Sequence, residues 1–138
     1  ASDIQAVRAI LEAESYDGPS LIIAYAHCIA QGIDMRKGME QQKAAVESGA
    51  WMLYRYDPRL AAEGKNPLQI DSKPPTIPLE QYTYNETRFK MLTKMNPEVA
   101  KNLLALGQKD VNDRQSFYRQ LAEMSPVQAA KQLQAAAE

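Results

Sequence analysis

Pro19-Ser20-Leu21-Ile22-Ile23-Ala24-Tyr25-Ala26-His27-Cys28-Ile29-Ala30-Gln31-Gly32 is the stretch on which the reading of this chain turns. Gly18-Pro19 ahead of it is a turn signal. Leu21-Ile22-Ile23-Ala24 is apolar without alternation and too short for a helix, which suits a strand buried on both faces of a helix-covered parallel sheet. Where the run ends, it delivers the chain's single histidine and single cysteine side by side, then a glycine. Ligands in open α/β sheets gather beyond the carboxyl ends of the strands. The segment therefore reads as a core strand holding one thiol at a functional edge.

The chain around it has 138 residues, enough for one domain with a real core. Charged residues make up 24% and the net charge is −1, so neither a basic field for nucleic acid nor an acidic tail is present. No apolar run is long enough to span a bilayer. No signal peptide is read at the start, where Asp3, Arg8 and Glu12 interrupt the apolar residues. One cysteine excludes an internal disulfide and fits a reducing, cytoplasmic setting.

Upstream, residues 2–15 form a helix capped by Ser2, with Ile4, Val7, Ile10 and Leu11 on one face. Tyr16-Asp17-Gly18-Pro19 ends it. Downstream, a helix starts near Asp34, buries Met35, Met39 and Val46, and stops at Gly49. Trp51–Tyr56 is aromatic-rich and suits a second strand or extended segment. Five of the eight prolines fall between Pro58 and Pro78, so 57–78 reads as an extended arm over a surface, with Leu68-Gln69-Ile70-Asp71 able to form a short edge strand. From Leu79 the chain is helical. Leu79, Tyr82, Phe89 and Leu92 share a face, and Asn96-Pro97 restarts a long helix striped by Ala100, Leu103, Leu104, Val111, Tyr118 and Leu121. Ser125-Pro126 opens a last helix whose end, Gln134–Glu138, frays.

A parallel strand needs parallel neighbours, and Trp51–Tyr56 is the best that this chain offers. A two-stranded sheet is not stable without substantial cover. Leu21–Tyr25 is therefore expected to complete a sheet whose other strands lie outside this sequence, and to leave exposed apolar surface when the chain is alone.

Few residues offer chemistry. Cys28 alone reads as an inert core thiol, as a thiolate ligand or as a reactive thiol, the last needing a base other than His27. One cysteine cannot hold a zinc ion or an iron–sulfur cluster unaided, because those sites need about four ligands. His27 points away from its neighbour at a strand end, so a Cys–His dyad is poor and a surface or supporting role is expected. The carboxylates Asp57, Asp71 and Glu80 are scattered, and no glycine-rich phosphate loop is present. The methionines at 35, 39, 91 and 95 read as core filler. No catalytic residue is assigned.

Taken together, the motifs Gly18-Pro19-Ser20-Leu21-Ile22-Ile23-Ala24-Tyr25, His27-Cys28-Ile29 and Gly32 carry a family pattern. So do Met35-Arg36-Lys37-Gly38 with Glu40-Gln41-Gln42-Lys43, Leu53-Tyr54-Arg55-Tyr56-Asp57-Pro58-Arg59 and Gly64-Lys65-Asn66-Pro67. Leu68-Gln69-Ile70-Asp71-Ser72-Lys73 and Asn85-Glu86-Thr87-Arg88-Phe89 complete it. Over roughly residues 1–120 the chain resembles the C-terminal part of pyruvate:ferredoxin (flavodoxin) oxidoreductase. The resemblance implies an α/β class: residues 1–56 as the closing helix–strand–helix of a thiamine-diphosphate-binding domain, 57–78 as a proline-rich arm, and 79–138 as a helical tail. It implies a parent enzyme that oxidatively decarboxylates pyruvate to acetyl-CoA. That parent uses thiamine diphosphate with Mg2+ and passes electrons through [4Fe-4S] clusters to ferredoxin or flavodoxin.

In that family the cysteine at the position of Cys28 is a ligand of the cluster nearest the thiamine, and its partner cysteines lie upstream. Many relatives have proline in place of His27 and histidine in place of Gln31, changes that bear on hydrogen bonds around the cluster. The thiamine motif, the other cluster cysteines and the coenzyme A domain are absent here, so the chain alone is expected to be inactive. Its expected partners are the rest of the oxidoreductase, companion subunits, a second copy of the parent enzyme, and ferredoxin or flavodoxin. The rival reading is a non-catalytic, mostly helical interaction module with Cys28 buried as a structural residue.

Overall fold

A computed structural model describes residues 2–125 of the chain. Helix α1 spans Asp3–Ser15, and the Ser2 hydroxyl accepts from the Gln5 amide at 3.4 Å, the cap expected of serine there. Its apolar face lies open: Ile4, Val7, Ile10 and Leu11 are all exposed, and no residue of the helix is buried. Residues 16–28 follow with neither helix nor strand. The strand expected over Leu21–Tyr25 is thus not formed among the described residues, and Leu21 and Ile23 are 84% and 65% exposed. A strand exists only through a hydrogen-bonded neighbour, and the chain brings none to this run.

Two short 3-10 turns, Ile29–Gln31 and Met35–Lys37, lead into α2, Gly38–Glu47. Asp34 caps the second turn by accepting from the Arg36 amide at 3.1 Å, so the cap is where the sequence placed it and serves a tighter turn. The buried residues of α2 are Gly38, Gln41 and Ala45; Met35 and Met39, expected inside, are exposed. Met91 and Met95 are exposed as well, so none of these four methionines fills the core. Apolar periodicity marks a face that suits burial, and the described residues do not cover it here.

Gly49 ends the α2 region at φ +77°, where an L-residue would be strained. A side chain there would also strike Pro75, whose Cγ lies 2.8 Å from the position a Cβ would take. Strand β1, Tyr54–Tyr56, then pairs antiparallel with β2, Leu68–Ile70, with Arg55 opposite Gln69. The expected second strand is present, but its neighbour is the edge segment at 68–70. A helical turn, α3 (Arg59–Ala62), joins the two. Hence 57–78 is not extended throughout: its first part folds back as a hairpin. Pro67 sits just outside β2, where its carbonyl accepts from Asp57 at 3.0 Å and its missing N–H costs nothing.

The helical part breaks once more than its pattern suggests, into α4 (Leu79–Thr83) and α5 (Thr87–Met95). Helix α6, Pro97–Glu123, begins as expected, with the Asn96 side chain accepting from the Val99 amide at 3.2 Å and proline in the first turn. Ala100, Val111 and Gln115 are its buried residues. Gln115 donates to the Gly49 carbonyl at 3.2 Å and Tyr118 stacks on Tyr54, so α6 is the spine against which the hairpin and the α2 turn rest. Among the described residues no helix is long and apolar enough to cross a membrane. The helix expected from Ser125-Pro126 and its frayed end lie outside the described residues.

Candidate metal-ligand segment

Cys28 is a free, exposed thiol. This excludes the buried structural cysteine of the rival reading. Cys28 ends the extended run in β-type backbone (φ −120°, ψ 127°), and its carbonyl accepts from Gln31 at 3.1 Å to start the first 3-10 turn. Gly32 closes that turn at φ +76°, donating to the Ile29 carbonyl at 3.0 Å.

The backbone on either side of the thiol is fixed by residues far away in sequence. On the near side, Tyr25 stacks on Trp51 with ring centroids 5.4 Å apart, and its hydroxyl shares a 2.7 Å hydrogen bond with that of Tyr82. Burial, reinforced by that bond, pushes the Tyr82 phenol well above the ordinary tyrosine range. On the far side, the Gly32 carbonyl accepts twice from Thr87, from its amide at 3.1 Å and its hydroxyl at 2.7 Å. The approach is close: a Cβ on Gly32 would lie 2.6 Å from the Thr87 Cβ. Between these anchors the His27 ring rests on Gly38, whose Cβ would fall 2.5 Å from Nε2. His27 Nδ1 is buried without a hydrogen-bond partner. The His27 ring thus packs on the start of α2, where a Cβ on Gly38 would require the ring to shift.

The junction between α4 and α5 holds this arrangement from behind. Gln41 is buried and donates to the Tyr82 carbonyl at 3.2 Å and to the Glu86 carboxylate at 3.1 Å, while Asn85 donates to the Gln41 side-chain oxygen at 3.0 Å. Glu86, the residue before α5, is buried too, and its side chain turns to Gln41 rather than capping the helix. Its inward turn accompanies the break in the helix here. No periodicity could have exposed Tyr82, Gln41 or Thr87 as partners of the Cys28 segment. The family motif Asn85–Phe89 was the one signal that this junction mattered.

Elsewhere, Arg55 gathers the other scattered groups. It donates to Asp71 at 2.7 and 2.9 Å, to Gln69 at 3.0 Å and to Glu12, while Gln5 also reaches Asp71 at 3.2 Å. The Arg55 guanidinium, with help from Gln5, holds the Asp71 carboxyl below the usual carboxylate range. This cluster fastens α1 to the hairpin. Asp57 is paired with Arg59 at 2.8 Å.

A cluster or zinc site needs about four donors. Among the described residues no group of three or more histidines, cysteines or acids converges. Cys28 fits a metal centre only as one donor of a shared set, and its exposed position leaves room for the others.

Cys28 thus ends an exposed apolar run that has no strand neighbour among the described residues. No family model matches the chain. The chain is homologous to part of the pyruvate:ferredoxin and pyruvate:flavodoxin oxidoreductases. It is 60% identical over 122 residues to the pyruvate-flavodoxin oxidoreductase of Nostoc sp., a match covering 88% of this chain and 10% of that protein. The pyruvate:ferredoxin oxidoreductase of Moorella thermoacetica is 49% identical over 123 residues, 89% of this chain and 10% of its own. The mitochondrial NADP(+) pyruvate dehydrogenase of Euglena gracilis is 44% identical over 128 residues, 91% of this chain and 7% of its own. The chain spans about a tenth of the length of the curated relatives it matches first.

Proposed function

We propose that this chain is the C-terminal part of an oxidoreductase that decarboxylates pyruvate oxidatively to acetyl-CoA, and that Cys28 supplies one thiolate to a [4Fe-4S] cluster. The observation that carries the reading is identity of 44–60% to the three enzymes just described; the exposure of Cys28, the thiol to which the family resemblance assigns the ligand role, supports it. Electrons in this reading leave through the clusters to ferredoxin or flavodoxin. A bound cluster supplies one-electron transfer, tuned by hydrogen bonding and burial around its ligands. What the chain itself does is hold the thiol at a fixed edge and leave it open for a shared set of donors.

Thiamine diphosphate, Mg2+ and the other cluster ligands belong, in this reading, to the remainder of the enzyme, a cytoplasmic homodimer. Residues 1–56 close its thiamine domain. The exposed Leu21–Ile23 run supports that placement, because an extended apolar segment lacking a partner satisfies its backbone by joining a sheet edge. Residues 57–78 and the helices after them then pack on other domains or on the second subunit.

The test uses the complete oxidoreductase carrying this segment. Cys28→Ala is expected to remove about one cluster's worth of iron, roughly four atoms per polypeptide. The corresponding electron paramagnetic resonance signal and pyruvate-dependent flavodoxin reduction should be lost with it. Full iron content with an unchanged spectrum would overturn the assignment of Cys28.

A further inference from the structure

We infer that the α4–α5 junction is a clamp that sets the position of the Cys28 thiolate, with Tyr82 and Thr87 as its two positioning residues. The inference rests on the reading of Cys28 as a cluster ligand. It goes further by giving the helical tail a role at the metal centre.

Cys28 lies on a segment, residues 25–32, that has no helix or strand before Ile29 and therefore no ladder to hold it. A ligand carried on such a segment would wander unless both of its ends were tied. Both are tied, and to the same structure. Tyr82, the next-to-last residue of α4, takes the hydroxyl of Tyr25 at 2.7 Å. Thr87, the first residue of α5, grips the Gly32 carbonyl with two donors at 3.1 and 2.7 Å. Hydrogen bonds to one carbonyl from an amide and a hydroxyl of the same residue fix direction as well as distance.

The junction itself is tied to α2. Gln41 ties the Tyr82 carbonyl, Asn85 and Glu86 together from the buried side of α2. Gly32 shows that the contact is intimate, since any side chain there would collide with Thr87. The thiol is thus suspended between two anchor points that belong to one corner, and a displacement of either anchor changes where the sulfur meets iron. Neither residue is proposed as a ligand. Both act through the backbone that bears Cys28.

The experiment is spectroscopic and uses the complete oxidoreductase. Thr87→Val removes the hydroxyl at nearly constant shape, and Tyr82→Phe removes only the shared hydrogen bond. Each is expected to retain full iron content while shifting the g-values and midpoint potential of one cluster. Thr87→Ser, which keeps the hydroxyl, should return the wild-type spectrum. Loss of that cluster from a folded Thr87→Val protein would support the clamp equally. Wild-type g-values and potential in either Thr87→Val or Tyr82→Phe would overturn the clamp. So would a Thr87→Ser protein shifted as far as Thr87→Val, because packing of the methyl would then be responsible. Cys28→Ala separates the two ideas. Iron lost there with Thr87→Val unchanged refutes the clamp alone, while full iron in Cys28→Ala refutes the ligand itself.

Discussion

Arg55 is the side chain on which most of the polar organisation depends. Its side chain is only 9% exposed, and it answers Asp71, Glu12 and Gln69 at once. Replacing it with methionine keeps much of the bulk and strands the Asp71 carboxylate. Removing one partner of such a buried pair costs about 3 kcal/mol. Urea denaturation followed by far-UV circular dichroism should show a loss near that size for Arg55→Met, and a change below about 1 kcal/mol, the worth of a surface pair, would show the cluster to be dispensable. The same cluster predicts an acid limb. Asp71 has its folded pKa depressed by Arg55. Its contribution is therefore fully present above the unfolded value of about 3.9 and lost as pH falls through the folded value. In Asp71→Asn, stability should be lower at neutral pH and should fall less steeply below about pH 4. Parallel acid limbs in the two proteins would contradict this.

Helix ends and turns carry their own predictions. The Asn66 side-chain amide reaches the Leu121, Ala122 and Met124 carbonyls at 2.6–3.0 Å, closing the end of α6 from the hairpin loop. The last carbonyls of a helix lack i+4 partners, and here the Leu121 carbonyl also accepts from the C-cap Met124 amide, at 3.4 Å. Asn66→Ala should cost about 1–2 kcal/mol and increase amide exchange in the last turn of α6. Unaltered exchange there would mean that solvent caps the helix as well as Asn66 does. At Gly49 the backbone is left-handed, and a methyl group would meet Pro75, Gln115 and Val111 at 2.8–3.1 Å. Gly49→Ala should therefore destabilise by more than about 1 kcal/mol, measured from the same denaturation midpoints. The break between α4 and α5 belongs to this level too. The periodicity suggests a continuous helix, whereas residues 84–86 form a turn in which the buried Glu86 accepts from Gln41.

For the molecule as a whole, two of its uncovered apolar surfaces carry a prediction. The α1 stripe of Ile4, Val7, Ile10 and Leu11 and the Leu21–Ile23 run are both open to solvent. Contiguous apolar patches of this kind associate in water. The isolated chain should self-associate with rising concentration in light-scattering measurements, and Ile4→Gln with Leu21→Gln and Ile23→Gln should reduce this at least several-fold. A chain that stays monomeric at high concentration, without those substitutions, would show that these faces do not seek a partner.

Much of the architecture was written locally. Ser2, Asp34, Asn96-Pro97 and Gly49 marked turns or helix ends because capping chemistry and left-handed backbone are decided within a few residues. The apolar run ending in Cys28 reads as a strand, and none forms there among the described residues, because a strand needs a neighbour and Trp51–Tyr56, the best candidate, pairs through Tyr54–Tyr56 with Leu68–Ile70 instead. Which faces would be covered was not legible. Periodicity says that Met35, Met39 and the α1 stripe want burial, and only the tertiary structure shows that this chain leaves them open. The pairing of β1 with β2 and the clamp on Cys28 were hidden for a related reason. Gly32 and Thr87 are 55 positions apart, Tyr25 and Tyr82 57. A hydrogen bond between such residues leaves no mark on the local pattern of either; it exists because packing brings the two segments to one corner.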